Sequence, residues 1–194
     1  MDGMRFTFIH AVVICGSVAG CAGQSPIKPA EVLDQHTGMT VGALQKPLEF
    51  VEYTPHPGAA TAVRMSFAYL GPVEWDRMGE ITYGLWIHVA PGNDKKVGDI
   101  RARGAVVLKL DDGPLALAPA DTPSTGHGPY KPVASWGQTS YYELSPAMLK
   151  RMAASRTLIL HFQSIDGSSV DFLPSHETHG TLTEFLRTRG ITDD

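Results

Sequence analysis

Two histidines flank a glutamate near the C-terminal end of the chain, in the sequence HETH at residues 176–179. Imidazole nitrogens bind zinc, and the related HExxH pattern places two histidines one helical turn apart around a glutamate that acts as the general base. Here the spacing is one residue shorter. Pro174 and Gly180 border the segment and favour a solvated loop. His176 and His179 are therefore only weak candidates for metal ligands.

A catalytic zinc site also needs a third protein ligand and an open position. His88, His127 and His161 are available, but nothing in the sequence brings them to residues 176–179. His88 and His161 fall on the more polar faces of two predicted strands, where they could be neighbours beside Trp86. We interpret both as surface histidines and predict no metal site.

Motifs for nucleophilic or nucleotide chemistry are missing from the sequence. It contains no GxSxG elbow, phosphate-binding GxxxxGK[ST] loop or GxGxxG fingerprint. We therefore predict no catalytic residue, no cofactor and no enzymatic activity. A hydrolase or metal-dependent enzyme that uses His176 and His179 stays open as the alternative.

The composition limits the class of protein. The chain has 194 residues, 43% of them hydrophobic, which is enough for one packed domain. Its formal net charge is -4, and the pair Lys95-Lys96 is its longest basic run. Because nucleic-acid binding needs a basic surface, we predict no nucleic-acid partner.

The first residues have the pattern of an export signal. Arg5 precedes an apolar run over residues 6–18, which is too short for a spanning helix of about 20 residues. Either Met1 or Met4 could be the start of translation. The run ends in Val18-Ala19-Gly20-Cys21, an apolar residue and two small residues before a cysteine.

These four residues resemble the lipobox of bacterial lipoproteins, and the chain as a whole is similar to small envelope lipoproteins of Gram-negative bacteria. The resemblance implies cleavage between Gly20 and Cys21, a diacylglyceryl group on the Cys21 sulfur and an acyl group on the new amine. Several acyl chains anchor a protein far more firmly than one. Inner-membrane lipoproteins usually carry Asp after the cysteine, whereas this chain has Ala22. The resemblance therefore implies the periplasmic face of the outer membrane rather than the inner membrane.

The same resemblance removes cysteine chemistry from residues 21–194. Cys15 would leave with the signal, and Cys21 would be alkylated. No disulfide or cysteine-based metal site is then expected, so the domain must be held by its core.

The expected division has three parts. Residues 1–20 form the signal peptide, residues 21–37 the lipidated N-terminus and a tether, and residues 38–194 a single β-rich domain. The tether contains Pro26 and Pro29. Within it, residues 29–34 are interpreted as a turn of helix.

Strands dominate the predicted domain. Residues 80–90 alternate strictly between apolar and other side chains, which is the pattern of a half-buried strand. Residues 64–70 behave similarly, and residues 71–79 between them are predicted as the loop of an antiparallel hairpin. Further strands are predicted over residues 48–54, 106–110, 115–117, 157–163 and 169–173, with Asp166-Gly167 as the turn before the last.

Two short helices are predicted as well. The first begins at Ser145, followed by Pro146 at the first helical position. The second begins with a capping box over residues 181–184 and ends at Gly190. The predicted fold is mainly β, an antiparallel β-sandwich or partial barrel with one or two short covering helices. An α+β arrangement is the alternative.

One long segment, residues 119–138, is rich in Pro, Gly, Ser and Thr. We favour a mobile insertion there over a binding loop. Trp75, Trp86 and Trp136 would together form an apolar patch for a partner protein or an envelope glycan, although we favour the core for them.

The function expected from these observations is that of a membrane-anchored envelope lipoprotein, a non-enzymatic structural or interaction module. A carrier of small apolar ligands inside the sandwich is a further alternative.

Overall fold

The computed structural model describes residues 27–53, 66–92, 105–121, 128–163 and 169–191. These residues form eleven β-strands and two helices. The strands are β1 (Pro29–Asp34), β2 (Met39–Leu44), β3 (Leu48–Tyr53), β4 (Phe67–Arg77), β5 (Glu80–Ala90), β6 (Ala105–Leu110), β7 (Gly113–Leu117), β8 (Pro119–Ala120), β9 (Gln138–Leu144), β10 (Leu158–Gln163) and β11 (Ser169–Pro174). The helices are α1 (Pro146–Ala154) and α2 (His179–Thr188).

The strands form one antiparallel sheet in the order β7-β6-β10-β11-β3-β4-β5-β9-β8. Although β7 and β8 lie at opposite ends of this order, only Ala118 separates them in the chain. The amide of Glu143 on β9 donates to the carbonyl of Ala118 at 2.9 Å. One stretch of chain therefore bridges both ends of the sheet, which becomes a nearly closed barrel.

One edge of β4 carries two strands in succession. β3 pairs with its first part and β2 with its second, and β1 pairs with the outer edge of β2. The register passes from Leu48↔Leu70 to Ala43↔Val73, which leaves Gly71 and Pro72 without a partner on this edge.

Tyr130 fills this break in the sheet. Its hydroxyl accepts a hydrogen bond from the amide of Leu44 at 2.9 Å and donates to the carbonyl of Pro72 at 3.0 Å. A β-carbon on Gly71 would lie 2.3 Å from the Tyr130 ring, so only glycine leaves room for it. Residues 128–137 are thus pinned to the barrel rather than forming the mobile insertion that we expected for this part of 119–138.

The inward face of the strands forms the main core. Leu70 pairs with Ile87, and Leu160 pairs with both Leu108 and Phe172, so each set shares a face. All five side chains are at most 2% exposed. Burying an apolar side chain of this size contributes roughly 1.5–3 kcal/mol, which makes this interior the main source of stability.

Both helices add to the same core. Leu149 and Met152 of α1, and Leu182 and Phe185 of α2, are at most 1% exposed. Helix α1 begins as predicted, because the Ser145 hydroxyl accepts from the amide of Met148 at 3.2 Å.

The guanidinium group of Arg189 ties the C-terminal end of α2 to the first strands. Its Nη2 donates to the carbonyl of Ala30 at 3.0 Å, and its Nη1 pairs with the carboxylates of Glu31 and Glu74. The Arg189 side chain is only 2% exposed and lies 5.7 Å from the centroid of the Phe185 ring. These contacts therefore hold the end of α2 against β1 and β4.

The mainly β fold with two short covering helices is confirmed. The strands predicted over residues 80–90, 106–110 and 115–117 are confirmed as β5, β6 and β7. The predicted loop over residues 71–79 is wrong, because β4 continues to Arg77 and only Met78 and Gly79 form the turn. The expected turn of Asp166-Gly167 lies outside the described residues.

Two predictions at the ends of the domain are also wrong. Residues 29–34 are strand β1 and not a turn of helix, so the expected tether is part of the sheet from Pro29 onward. Helix α2 begins at His179, with Thr178 as its N-cap, instead of at Thr181. The carboxylate of Glu177 accepts from the amide of Gly180 at 2.9 Å and satisfies this helix end.

Candidate functional site

The residues that carry the lipobox, including Gly20 and Cys21, lie outside the described residues. The described chain begins at Ile27, whose amide donates to the hydroxyl of Thr181 on α2 at 3.2 Å. The carbonyl of Lys28 accepts from the amide of Gln45 at 2.9 Å. The chain thus enters the domain between α2 and the link that joins β2 to β3.

A large cleft opens at this entry point, which we call the N-terminal cleft. It has a volume of about 1150 Å³. Its lining comes from the entry segment, the β2–β3 link, the outer face of β3 and β4, the segment before α2 and the loop over β5. The lining residues include Ile27, Lys28, Lys46, Glu49, Tyr69, Val133, His176 and Glu177.

The floor of the N-terminal cleft is built from Tyr69 and Glu49, which are opposite each other in the β3–β4 register. The hydroxyl of Ser175 donates to the Glu49 carboxylate at 3.0 Å. Burial raises the pKa of Tyr69, and the negative charge of Glu49 raises it further. Tyr69 therefore stays a neutral phenol at neutral pH.

His176 and His179 do not converge on a shared site. Both are exposed, His176 at the rim of the N-terminal cleft and His179 at the first position of α2. Glu177 between them caps the helix. Within the described ranges, no group of three or more His, Cys, Asp or Glu residues could hold a metal ion.

The remaining histidines lie far from one another in the sheet, and His127 is outside the described residues. His88 is on β5 and His161 on β10, which are not neighbouring strands, so the two do not meet beside Trp86. His88 is also not a surface residue, since it is 1% exposed. Its imidazole stacks on Trp86 with ring centroids 5.6 Å apart, and its Nδ1 lies 3.0 Å from the Thr139 hydroxyl.

His88 belongs to a second, smaller core on the outside of the barrel. Trp86 contacts Tyr130 with centroids 5.0 Å apart, and a β-carbon on Gly137 would lie 2.3 Å from the His88 ring. The segment 128–137 therefore covers the outer face of β5. Trp75 and Trp86 are 8% and 1% exposed, which confirms the core interpretation for both, whereas Trp136 is 71% exposed.

His161 takes part in an ionic cluster on the outer surface of β6, β10 and β11. Its Nδ1 lies 2.5 Å from a carboxylate oxygen of Asp171, and Lys109 Nζ lies 2.9 Å from both oxygens of the same carboxylate. Burial raises the pKa of Asp171, but the hydrogen bonds from Lys109 and His161 outweigh this, and the net pKa is lowered. Asp171 is thus a shared anion between two basic groups.

An aspartate that orients a histidine is one half of a general-base arrangement. The other half would be a hydroxyl or thiol bonded to the second ring nitrogen; among the described residues no hydroxyl makes that bond, although Ser169 on β11 is diagonal to His161 in the register. Val107 is opposite His161 on β6, and Ile159 and Gln163 are the adjacent outward positions on β10. Neither the N-terminal cleft nor the groove described next is lined by His161 or Asp171. This cluster therefore holds the sheet surface together.

A smaller groove of about 370 Å³ runs along the β1–β2 hairpin. Its apolar lining includes Val32, Val41, Ala43 and Leu44. Val32 is 66% exposed on strand β1, which pairs only with β2 among the described strands. The groove lies outside the barrel, whose interior is occupied by side chains.

Comparisons with protein-family models, with curated proteins and with solved structures give no match. Neither of the two described helices is long and apolar enough to cross a membrane. The site residues are therefore interpreted from their own geometry.

Several residues of the sites described above carried no signal in the sequence. Asp171 and Lys109 lie 62 positions apart and meet only through the register of β6, β10 and β11. Nothing in the sequence around Tyr130 indicates that its side chain reaches the break between β2 and β3. The one usable signal was Gly71-Pro72 inside β4, since glycine and proline within a strand mark an irregularity.

Proposed function

We propose that this chain is a lipid-anchored protein of the bacterial envelope, whose β-rich domain is a non-enzymatic interaction module. The observation that carries the proposal is Val18-Ala19-Gly20-Cys21 at the end of a short apolar run. The lipobox residue types supply a small-residue cleavage site and a sulfur nucleophile.

The arrangement of the domain supports a binding role over a catalytic one. Two buried polar groups fix the fold: Arg189 pairs with Glu74, and the Tyr130 hydroxyl bridges the sheet. The N-terminal cleft combines lysines, carboxylates and a neutral phenol on an open surface. An open polar surface of this kind suits recognition of another component of the envelope.

The anchor is tested by the substitution Cys21→Ser in the full chain, with Cys15→Ser as the matched control. Cys15 lies in the apolar run, six positions earlier, and has no role in the proposed modification. We expect mass spectrometry to find a diacylglyceryl cysteine at the N-terminus of the parent protein and of Cys15→Ser. Cys21→Ser, or the parent treated with globomycin, should retain the signal. Normal processing of Cys21→Ser would contradict the proposal.

The proposed location is the periplasmic face of the outer membrane, because Ala22 follows the modified cysteine. Density-gradient separation of the two membranes is expected to find the parent protein in the outer-membrane fraction. Ala22→Asp should move it to the inner-membrane fraction without changing its acylation. Recovery of the parent from the inner membrane would overturn the location and leave the anchor intact.

A carrier of small apolar ligands is a second candidate, favoured by the 370 Å³ groove beside Val32, Val41 and Leu44. A fluorescent fatty acid is a suitable probe. Binding that disappears in Val41→Asp but survives in Ile81→Asp would support it, because Ile81 is exposed outside the groove. Equal binding by both variants would exclude this candidate.

A further inference from the structure

Two lysines and one apolar side chain lie beside the point where the chain enters the domain, and a third lysine and a tryptophan follow in the same segment as the apolar one. Lys28, Lys46 and Val133 line the N-terminal cleft, and all three are exposed. Lys131 and Trp136 flank Val133 in the segment pinned by Tyr130, and both are exposed. We call these five residues the lysine face.

The lysine face lies close to the proposed anchor because of chain length alone. Ile27 and Lys28 follow Cys21 by only a few residues. A fully extended chain spans at most about 3.6 Å per residue, so Ile27 lies within roughly 22 Å of the acylated sulfur. The N-terminal cleft is therefore held next to the lipid headgroups.

We propose that the lysine face rests on the membrane leaflet, with its lysines against headgroup phosphates and Trp136 at the headgroup level. This inference depends on the proposed lipid anchor. Lysine near an anionic leaflet is attracted within a Debye length, and tryptophan is enriched at membrane–water interfaces because its ring is apolar with one polar N–H.

The partner fits the chemistry of the lysine face. Lysine stems can lie along apolar surface while their ammonium groups reach phosphates. Two carboxylates of the cleft already accept hydrogen bonds from the protein: Glu49 from Ser175, and Glu177 from the amide of Gly180. Both carboxylates keep their negative charge and offset Lys28 and Lys46, which leaves Lys131 as the excess charge, so the attraction of the lysine face to the leaflet is weak.

The net charge of -4 opposes adsorption of the whole domain to an anionic surface. A short tether offsets this, because it raises the effective concentration of the lysine face at the leaflet to about the millimolar range. Weak contacts then suffice to orient the domain. Docking is therefore expected only for the acylated protein.

The opposite end of β4 supplies an internal reference. Met78 is 99% exposed at the β4–β5 turn. It lies eight positions beyond Leu70, which is about 27 Å along the strand at 3.4 Å per residue. A domain that lies on its lysine face keeps Met78 in water.

The test uses full-length protein purified with its acyl chains and reconstituted into vesicles of phosphatidylethanolamine and phosphatidylglycerol. Because the proposed processing leaves no free thiol, Trp136→Cys and Met78→Cys each introduce a single labelling site for an environment-sensitive fluorophore. We expect the label at 136 to shift to shorter wavelength and to be quenched at least twofold by headgroup-region nitroxide lipids. The label at 78 should change in neither respect.

Charge-reversal substitutions provide a second test of docking by the lysine face. In the 136-labelled protein, Lys28→Glu with Lys46→Glu should abolish the quenching. Arg77→Glu with Arg156→Glu should leave it, since this control changes the charge equally at exposed positions outside the lysine face.

The outcomes separate the two proposals. Full-length protein that is recovered from its own membrane without acyl chains, and that does not float with vesicles, contradicts the anchor. Acylated protein that floats but shows equal quenching at 136 and 78, or quenching insensitive to the lysine substitutions, overturns docking while the anchor stands. A label at 136 that is protected only after addition of envelope proteins or glycan also overturns it, in favour of a macromolecular partner.

Discussion

The guanidinium group of Arg189 occupies the space that a side chain on Gly42 would need. A β-carbon at Gly42 would lie 2.5 Å from Cζ of Arg189, well inside van der Waals contact. Gly42 is opposite both Glu31 on β1 and Glu74 on β4, the two carboxylates that Arg189 pairs with. Because Gly42 has no side chain, there is room between β1 and β4 for the guanidinium group of Arg189 from the end of α2.

The buried ion pair of Arg189 predicts that Arg189 contributes much more to stability than Arg187, which lies at the same end of α2. Arg189→Ala leaves the buried Glu74 without its cation, and removing one partner of a buried pair costs about 3–5 kcal/mol. Arg187 is 68% exposed and pairs with Glu184 at 2.6 Å in solvent, so Arg187→Ala should cost far less than Arg189→Ala. Urea unfolding measures both free energies.

The close packing of Arg189 against Gly42 is tested by a double-mutant cycle at these two positions. Gly42→Ala alone should destabilise the protein because the new methyl group meets the guanidinium. In Gly42→Ala with Arg189→Ala the methyl group has space, so the combined loss should be smaller than the sum of the single losses. Strict additivity would show that the two residues do not share the same space.

Tyr130 predicts a second measurable effect. Tyr130→Phe keeps the ring against Gly71 and Trp86 but leaves the amide of Leu44 and the carbonyl of Pro72 without their partner. Unsatisfied buried groups cost about 1–3 kcal/mol each, so we expect a loss in that range or above. Burial also raises the pKa of Tyr130, which keeps its donor proton in place.

Tyr53→Phe is the matched control for Tyr130→Phe, since Tyr53 is 56% exposed. Its free energy of unfolding should change by less than about 0.5 kcal/mol. Equal losses in the two variants would mean that the Tyr130 hydroxyl does not close the break between β2 and β3.

The alternation of apolar and polar residues predicted strands that have chemically different faces. It predicted burial less well where both faces of a strand are buried. Residues 80–90 alternate, and they form β5. However, the supposedly outward His88 and Trp86 are as buried as the inward Ile87, because residues 128–137 pack over them. This segment is more than 40 positions away in the sequence, so the local pattern of β5 cannot indicate that it packs there.

The missed half of β4 has a specific cause. Gly71 and Pro72 normally interrupt strands, so the sequence suggested a loop. They are tolerated because β2 and β3 leave this edge unpaired and because Tyr130 needs the space above Gly71. Likewise, Thr181 mimics a capping residue, but its hydroxyl accepts from the amide of Ile27 instead. In both cases a tertiary contact determines the local structure.

The β4–β5 turn predicts a stabilising substitution. Met78 has φ 57° and Gly79 has φ 91°, the left-handed pair typical of a two-residue type I′ hairpin. A left-handed conformation costs a residue such as methionine roughly 1–2 kcal/mol, whereas asparagine tolerates it. Met78→Asn should therefore raise the free energy of unfolding by about 1 kcal/mol.

Gly79→Ala is the counterpart at the next position, where the positive φ disfavours any β-carbon. It should lower the free energy of unfolding although nothing lies within 4 Å of the added methyl group. If both substitutions were neutral in thermal and urea unfolding, backbone strain at this turn would be negligible.

The exposed histidines give a prediction that separates the enzyme alternative from the interaction module. His176→Ala with His179→Ala should leave the melting temperature within about 4 °C, because each surface substitution changes stability by less than about 0.5 kcal/mol and 1 kcal/mol corresponds to about 2–4 °C in a domain of this size. The zinc content of protein purified without chelators should also stay the same. A drop in bound zinc together with a lower melting temperature would favour the metal-dependent alternative.

The carboxylate of Asp171 links stability to acid pH. Its pKa is lowered from the ordinary value of 3.8, since the hydrogen bonds from Lys109 and His161 outweigh the opposing effect of burial. Folding therefore favours the ionised form. The stabilisation is fully present above pH 3.8 and is lost as the pH falls through the lower pKa of the folded state.

Asp171→Asn removes this dependence. We expect the variant to be less stable than the parent at pH 7, with a shallower loss of stability as the pH falls from 5 to 2, so that the two curves converge at the acid end. Glu143→Gln, which removes an exposed carboxylate on β9, controls for the loss of one charge. Parallel curves for the parent and Asp171→Asn, measured by urea unfolding at each pH, would show that Lys109 and His161 do not stabilise the Asp171 anion.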